Sequence, residues 1–334
     1  MILKKSILEG YSNQLEIARC GQCLATIVFL FLAFDGKTQQ RTDTTYWRSG
    51  GSSALTLSQV SLTNWAAGGQ NSVAINANFS GFANRTKNRG KWENSLDLAY
   101  GLINQEESSG FSKSDDLINF VTKYSYKINK SNRKWFFTSL LDFRTQFDAG
   151  FATTAEIEQI SDFMAPGYLT LGTGVSYDPT DQLSFSYQPL TGKFTFVLNQ
   201  MLADEGAYGV DPVILAEDDS TILIPGKRSR AEFGSFFRAK YKNDIFESRL
   251  ELFTGYTENR GEIDVNWQNS LIMKVTKVIS INVFAHLIYD NDILIGRDND
   301  NDGEIDEGTE KARVQFKSVL GVGLAYKFGA QKPK

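Results

Sequence analysis

Cysteine is nearly absent from this chain of 334 residues, which contains only Cys20 and Cys23. A C-x-x-C pair has the spacing of redox dithiols and of many metal sites. A metal site needs further ligands, and the sequence has no second Cys or His cluster to provide them. The pair instead directly precedes an apolar run, Leu24–Phe34. We therefore expect neither a redox centre nor a thiolate metal site.

Long hydrophobic runs are also missing. A membrane-spanning helix needs about 20 consecutive apolar residues, whereas the run Leu24–Phe34 has 11. Basic residues precede this run, as they do in a secretory signal peptide. Small residues just before Gln39 fit a cleavage site, so residues 1–38 are predicted to be a signal peptide. No cysteine follows the run, which argues against a lipoprotein anchor.

A large excess of charge of either sign is missing as well. The chain has 35 Lys and Arg against 39 Asp and Glu, a formal net charge of −4. Four basic and three acidic side chains precede Gln39, so the rest of the chain carries −5. A mildly acidic chain without basic blocks lacks the charge that nucleic-acid binding requires. We expect no nucleic-acid partner.

Histidine occurs once, as His286, and no G-x-S-x-G nucleophile motif is present. An outer-membrane phospholipase would carry a serine two residues from its histidine on one strand. Here those positions are Phe284 and Ile288. We therefore interpret His286 as a hydrogen-bonded interior side chain rather than a general base. The sequence predicts no catalytic residue, and we expect the protein not to be an enzyme.

Strict alternation is the main pattern that is present, and Ala312–Phe328 shows it best. A period of two indicates a β-strand whose two faces meet different surroundings. One parity is mostly apolar: Val314, Phe316, Ser318, Leu320, Val322, Leu324, Tyr326 and Phe328. The other is charged, polar or small: Arg313, Gln315, Lys317, Val319, Gly321, Gly323, Ala325 and Lys327. Such a strand near the C-terminus is typical of the closing strand of an outer-membrane barrel.

Twelve segments of this kind are predicted, and most exceed the ~9–11 residues that span a bilayer as a strand. They are Ala54–Trp65, Ser72–Asn84, Lys91–Asn104, Asp115–Ile128, Arg133–Phe147, Pro166–Asp178, Gln182–Val197, Arg230–Tyr241, Ile245–Tyr256, Glu262–Val275, Val278–Asp290 and Ala312–Phe328. Long and short connections alternate along most of the chain, as in outer-membrane barrels with short periplasmic turns. An even strand number also places both termini on one side.

The predicted fold is therefore all-β, an antiparallel transmembrane β-barrel of the outer-membrane type with about 12 strands. It covers residues 54–328, after a periplasmic lead-in at 39–53 and before a C-terminal tail at 329–334. Aromatic residues at both strand ends fit the two girdles of a membrane barrel. They are Trp92, Trp135, Tyr241, Phe246 and Phe328 at the periplasmic ends and Tyr100, Phe147, Tyr256 and Tyr289 at the opposite ends.

Opposite charges on the eighth and ninth predicted strands suggest an ionic ladder. Across the turn Lys242–Asp244, Lys240 is predicted to meet Glu247, and Arg238 to meet Glu247 and Glu251. Opposite charges on adjacent strands attract each other. The ladder would lie inside a barrel, whereas on a soluble sheet the same residues would face water.

The acidic loop before the last strand resembles the calcium loops of EF-hand, dockerin and thrombospondin-type repeats. Carboxylates at alternate positions with a glycine for the turn suit a hard cation. The predicted Ca²⁺ ligands are Asp298, Asp300, Asp302, Glu304 and Asp306. Thr309 stands where the closing Glu is usual. The alternative is a solvated acidic loop tip.

Four segments together resemble an uncharacterised family, domain of unknown function 3078, from outer-membrane proteins of Bacteroidota. The segments are Leu62–Asn71 with its Asn-Trp-Ala-Ala-Gly-Gly core, Ala165–Tyr168, Pro189–Lys193 and Leu287–Asp290. The resemblance implies an outer-membrane location and no assigned activity.

Three functions remain open on the sequence. The first is a non-enzymatic outer-membrane barrel, either a narrow pore or an envelope-assembly scaffold, with outer-membrane lipids as its partner. The second is an outer-membrane lipid or peptide hydrolase. The third is a soluble secreted β-sandwich that binds carbohydrate through its long loops, with calcium ordering one of them. Protein partners and the oligomeric state are not predicted.

Overall fold

The computed structural model describes residues 46–60, 72–105, 110–129, 134–151, 159–216, 221–257, 261–276, 279–296, 308–309 and 311–329. Within these ranges, twelve antiparallel strands form a closed barrel in which each strand pairs with its neighbours in sequence and the last pairs with the first. The barrel architecture predicted from alternation is confirmed. A closed barrel also excludes the two packed sheets of the predicted alternative, the β-sandwich.

The strands of the barrel are long. They are β1 (Trp47–Val60), β2 (Ser72–Lys87), β3 (Gly90–Gln105), β4 (Phe111–Lys127), β5 (Trp135–Thr145), β6 (Gly167–Tyr177), β7 (Leu183–Phe196), β8 (Ser229–Lys242), β9 (Phe246–Gly255), β10 (Asp264–Lys274), β11 (Ile279–Tyr289) and β12 (Gln315–Gly329). Each of the twelve predicted segments corresponds to one of them.

The start of β1 differs from the prediction. The strand begins at Trp47, inside the stretch 39–53 that the sequence analysis assigned to a lead-in, and not at Ala54. Residues 47–53 pair with β2, and from Gly50 onward they also pair with β12. These Gly and Ser residues lack apolar alternation, so their participation in the sheet was not visible in the pattern.

The two ends of the barrel differ in their connections. We call them the turn end, where β2–β3, β4–β5, β6–β7, β8–β9 and β10–β11 are joined, and the loop end, where the long connections lie. Aromatic pairs lie at both ends. Trp47 contacts Trp92 at the turn end with ring centroids 5.5 Å apart, and Phe233 contacts Tyr256 at the loop end at the same separation.

The distribution of polarity is inverted relative to a soluble protein. Large apolar side chains cover the outside: on β12, Phe316 is 67% exposed and Leu320 is 71% exposed. The buried set is instead rich in polar residues, among them Asn119, Thr138, Gln188 and Arg238. The outward parity predicted for the last strand is therefore confirmed, because its charged, polar and small residues alternate toward the interior.

The connection between β7 and β8 carries most of the additional structure. It contains a short helix, α1 (Gln200–Asp204), a 3₁₀ turn (Ala207–Gly209) and a small hairpin of Ile214–Leu215 with Ile222–Ile224. A compact apolar cluster at the loop end holds this segment. It consists of Ala165, Val197, Leu202, Ala203 and Val210, with Ala207 and Tyr208 packed against it.

No helix in the described part of the chain is long and apolar enough to cross a membrane.

Candidate functional site: the charged interior of the barrel

Alternation sends charged side chains of β5, β8 and β9 into the interior, where they form the central cluster: Asp142, Arg144, Arg238, Arg249 and Glu251. Glu251 lies 2.8 Å from Arg238 and accepts from Arg144 at 3.2 Å, and Arg249 lies 3.6 Å from it. Arg238 also pairs with Asp142. Three guanidinium groups thus share two carboxylates inside the barrel.

Burial makes these pairings necessary. Arg238, Asp142 and Glu251 are each less than a tenth exposed. An ion taken out of water loses several kcal/mol of hydration, which only close partners offset. The register of β8 and β9 places Arg238 directly opposite Glu251, so local pairing provides one partner. The second partner, Asp142, comes from across the interior.

The predicted ionic ladder is confirmed in two contacts. Lys240 lies 2.8 Å from Glu247 and Arg238 lies 2.8 Å from Glu251. The structure gives no contact between Arg238 and Glu247, the second predicted partner of this arginine. Lys242 takes that place beside Glu247.

His286 extends the central cluster toward β10. Its ring Nε2 lies 2.8 Å from Asn266 Oδ1 and 3.4 Å from Gln268 Nε2, and Gln268 in turn accepts from Arg249. Asn266 donates to Glu251 at 3.2 Å. The prediction of a hydrogen-bonded interior histidine is confirmed. Two amide side chains orient the ring, and neither is a nucleophile.

A second group of charges lies at the loop end, and we call it the loop-end cluster: Lys193, Arg230, Glu232, Asp264, Asp290 and Asp292. Lys193 Nζ lies 2.6 Å from Asp264, 3.3 Å from Asp290 and 3.7 Å from Glu232. Arg230 lies 2.8 Å from Asp292. Four carboxylates face two cations, so this end of the interior is acidic.

A cavity of about 760 Å³ runs through the interior beside these clusters. Lys242, Asp244 and Lys327 line it at the turn end, whereas Tyr208 and Ile293 line it at the loop end. Residues from both ends of the barrel therefore contribute to one continuous space. His286 and Lys317 are among the residues lining its middle part.

The described residues of the connection between β7 and β8, which include Tyr208, cover the loop end, and we call them the cover. Tyr208 Oη donates to the carbonyl of Ile160 at 2.6 Å. Burial raises the pKa of Tyr208 to about 12, so its hydroxyl stays protonated and available as a donor. Gly209 has a φ of +77°, and a Cβ there would lie 2.7 Å from Arg230 Nη1. The cover is thus fitted closely onto the loop-end cluster.

The predicted Ca²⁺ ligands, Asp298, Asp300, Asp302, Glu304 and Asp306, lie outside the described residues. Within the described ranges, no group of three or more His, Cys, Asp or Glu side chains is arranged to hold a metal ion. The calcium site stays a prediction.

Sequence reasoning did not identify Asp142, Arg144 or Lys193. Asp142 and Arg144 alternate on β5 as Arg238 and Lys240 do on β8, so the same parity argument would have placed them inside. Their partners could not be predicted from the sequence, because Asp142 pairs with β8 rather than with a neighbouring strand.

Three solved structures align with most of the chain. They are an outer membrane channel from Pseudomonas putida F1 (8% identity, 88% of this chain, 99% of that chain, TM-score 0.37), the translocator domain of the autotransporter NalP from Neisseria meningitidis (10%, 93%, 98%, 0.28) and the toluene transporter TbuX from Ralstonia pickettii (10%, 85%, 89%, 0.26).

Among curated proteins, no sequence matches the chain. A family model does match part of it. Residues 57–151, which include the end of β1 and all of β2 to β5, match the protein family of unknown function DUF3078.

Proposed function

We propose that this protein is an outer-membrane barrel that lets small polar solutes pass through a narrow, charged interior. The inverted distribution of polarity supports membrane insertion, because apolar side chains cover the outside and polar side chains fill the inside. The twelve antiparallel strands, the two sets of aromatic pairs and the long connections gathered at one end support the same placement. The predicted signal peptide would direct export.

The continuous cavity is the observation that carries the proposal for passage. Its volume of about 760 Å³ is lined by residues from the turn end to the loop end, which describes a narrow path. The central cluster occupies part of the interior, and its residues Asp142, Arg144, Arg249 and Glu251 line this path. Solutes no larger than small ions or metabolites fit such a path.

A non-enzymatic role agrees with the surroundings of the one histidine. His286 contacts two amides, Asn266 and Gln268, and lies near Arg249 through Gln268. This arrangement orients the imidazole in a hydrogen-bond network, and among the described residues no nucleophile hydrogen-bonds to it. A hydrolase would need an oriented imidazole and also a nucleophile in contact with it.

We also propose, from the sequence alone, that the acidic loop between β11 and β12 binds Ca²⁺. The ligands would be Asp298, Asp300, Asp302, Glu304 and Asp306, and the ion would stiffen an external loop.

Conductance across a planar lipid bilayer tests the proposed passage. Purified protein should produce small, discrete current steps in potassium chloride. The variant Ser270→Trp places a large side chain in the cavity lining and should reduce the step size, whereas Ser139→Trp, on the outer surface of β5, should not. If the inserted protein shows no conductance, the proposed passage of solutes is contradicted, and the role of an envelope-assembly scaffold is left.

A further inference from the structure

Among the described residues, the closest contacts of Arg249 are amide oxygens rather than carboxylates. Its guanidinium donates to the amide oxygen of Gln268 on β10. The amide of Asn119 on β4 satisfies both of its neighbours when its oxygen faces Arg249 Nη2, at 3.3 Å, and its nitrogen faces Asp142, at 3.2 Å. The carboxylate of Glu251 lies 3.6 Å from Arg249 Nε, which is beyond hydrogen-bond distance. Two neutral acceptors therefore hold this guanidinium.

The contact between Arg249 and Asn119 crosses the barrel. Four strands separate β4 from β9 on one side of the ring and six on the other, so a contact between their inward side chains spans the interior. Arg249 also lines the long interior cavity. A solute that moves along this cavity therefore meets the guanidinium of Arg249.

A row of polar side chains continues from Arg249 along the inner wall. The register of the strands places Arg249 opposite Gln268, Gln268 opposite His286, and His286 opposite Lys317. All four residues line the cavity. Lys317 is neutralised by Asp115, 2.6 Å away. The positive charge that this row offers to a solute is therefore that of Arg249.

A carboxylate can replace the amide oxygens on Arg249 without leaving either amide unpaired. Hydrogen bonds between ionised partners are roughly twice as strong as those between neutral groups, and the planar guanidinium fork binds a carboxylate through two parallel bonds. After the exchange, the Asn119 nitrogen still faces Asp142 at 3.2 Å, and Gln268 Nε2 still lies 3.4 Å from His286. Arg249 is thus suited to bind the carboxylate of a small solute.

The loop end of the cavity favours the opposite charge. Asp264 and Asp290 line the cavity there together with Lys193, and the loop-end cluster has two more carboxylates than cations. Acidic groups that line a pore favour cations. A solute with only a carboxylate is therefore repelled at this end, whereas a solute that also carries an ammonium group is complementary to both zones.

We infer that the passage selects small zwitterions, which carry an ammonium group and a carboxylate, and that Arg249 recognises the carboxylate. The loop-end cluster attracts the ammonium group as the solute enters, and Arg249 receives the carboxylate further along the cavity. This inference rests on the proposed function, because it requires that solutes travel along the cavity.

Influx of radiolabelled solutes into proteoliposomes tests the selection. Three probes of similar size are compared: glycine with both charges, ethanolamine with the ammonium group alone, and glycolate with the carboxylate alone. Each rate is corrected for influx into liposomes without protein. Glycine should enter fastest. If glycine enters no faster than the other two probes, the selection is overturned and the passage is left, whereas no influx of any probe would overturn both.

Variants of Arg249 test its role in the selection. Arg249→Gln should lower the ratio of glycine influx to ethanolamine influx about tenfold, which corresponds to ~1.4 kcal/mol and to a weak hydrogen bond between charged groups. Arg249→Lys keeps the charge and should retain more of the ratio. The control Arg228→Gln makes the same change at an exposed position of the cover and should leave the ratio unchanged.

The ratio also separates recognition from stability. All variants are compared as folded protein, identified by faster migration in a denaturing gel before heating, and a smaller amount of folded protein lowers both influx rates equally. An unchanged ratio in Arg249→Gln, or the same ratio in Arg249→Gln and Arg249→Lys, would overturn the recognition of the carboxylate by Arg249.

Discussion

Arg238 on β8 forms an ion pair with Asp142 on β5, across the two intervening strands β6 and β7. The same guanidinium lies 2.8 Å from Glu251 on the neighbouring strand β9. The central cluster therefore ties strands that are not adjacent in the sheet. It stabilises the side of the barrel that β5, β8 and β9 form.

The variant Glu251→Gln should strongly destabilise the barrel. Glu251 pairs with three arginines in the interior, and removal of one partner from a buried ionic group costs ~3–5 kcal/mol. Urea-induced unfolding in detergent micelles measures the change. Asp211→Asn is the control, because Asp211 and Lys227 form an exposed pair, each 68% exposed, and should leave unfolding unchanged. Equal effects of the two substitutions would show that the central cluster is not structural.

The variant Lys193→Met should make the channel more selective for cations. Lys193 neutralises Asp264, Asp290 and Glu232 at the loop end, and charged groups lining a pore determine which ions enter. The zero-current potential in a potassium chloride gradient should shift toward the potassium equilibrium potential. Lys227→Met, in an exposed position of the cover, should cause no shift. An unchanged potential in Lys193→Met would place the ion path elsewhere.

The cover over the loop end should loosen independently of the barrel. Tyr208→Phe removes the hydrogen bond to Ile160, worth about 0.5–1.5 kcal/mol. Gly209→Ala should have the larger effect, because a Cβ would clash with Arg230 and the residue has a positive φ. Hydrogen exchange of the amides of residues 200–210 should accelerate in both variants while the amides of β8 and β9 stay protected. Faster exchange throughout would mean that the cover and the barrel unfold together.

Calcium should bind to the acidic loop of the natural sequence. Titration calorimetry should detect heat on addition of Ca²⁺ to the intact protein and none in the Asp300→Ala variant, since removal of a central carboxylate weakens the ligand set. Ser318→Ala, on the outer face of β12, is a control that should bind like the natural protein. No heat with the natural protein would leave the loop as a solvated acidic tip.

The strands could be predicted from the sequence because each has two faces in different surroundings. On β12, every second residue from Phe316 to Phe328 points outward, and this alternation depends on neighbouring residues alone. The short turn at Asn243 followed by Phe246 is equally local. Local patterns of this kind are sufficient to find strands, turns and the alternation of connections.

Features that depend on how the sheet closes could not be predicted. The pair Arg238–Asp142 joins non-adjacent strands, so it requires the curvature and register of the whole barrel. Helix α1 has five residues, too few for a helical period to emerge from the sequence.

Extraction of membranes from the native cells tests the central claim, a barrel inserted in the outer membrane, most directly. The protein should remain with the outer-membrane fraction after washing with urea and carbonate and should dissolve with detergent. Without heating, the folded barrel should also migrate faster in a denaturing gel than the heated protein. Release of the protein without detergent, with identical migration before and after heating, would contradict the claim.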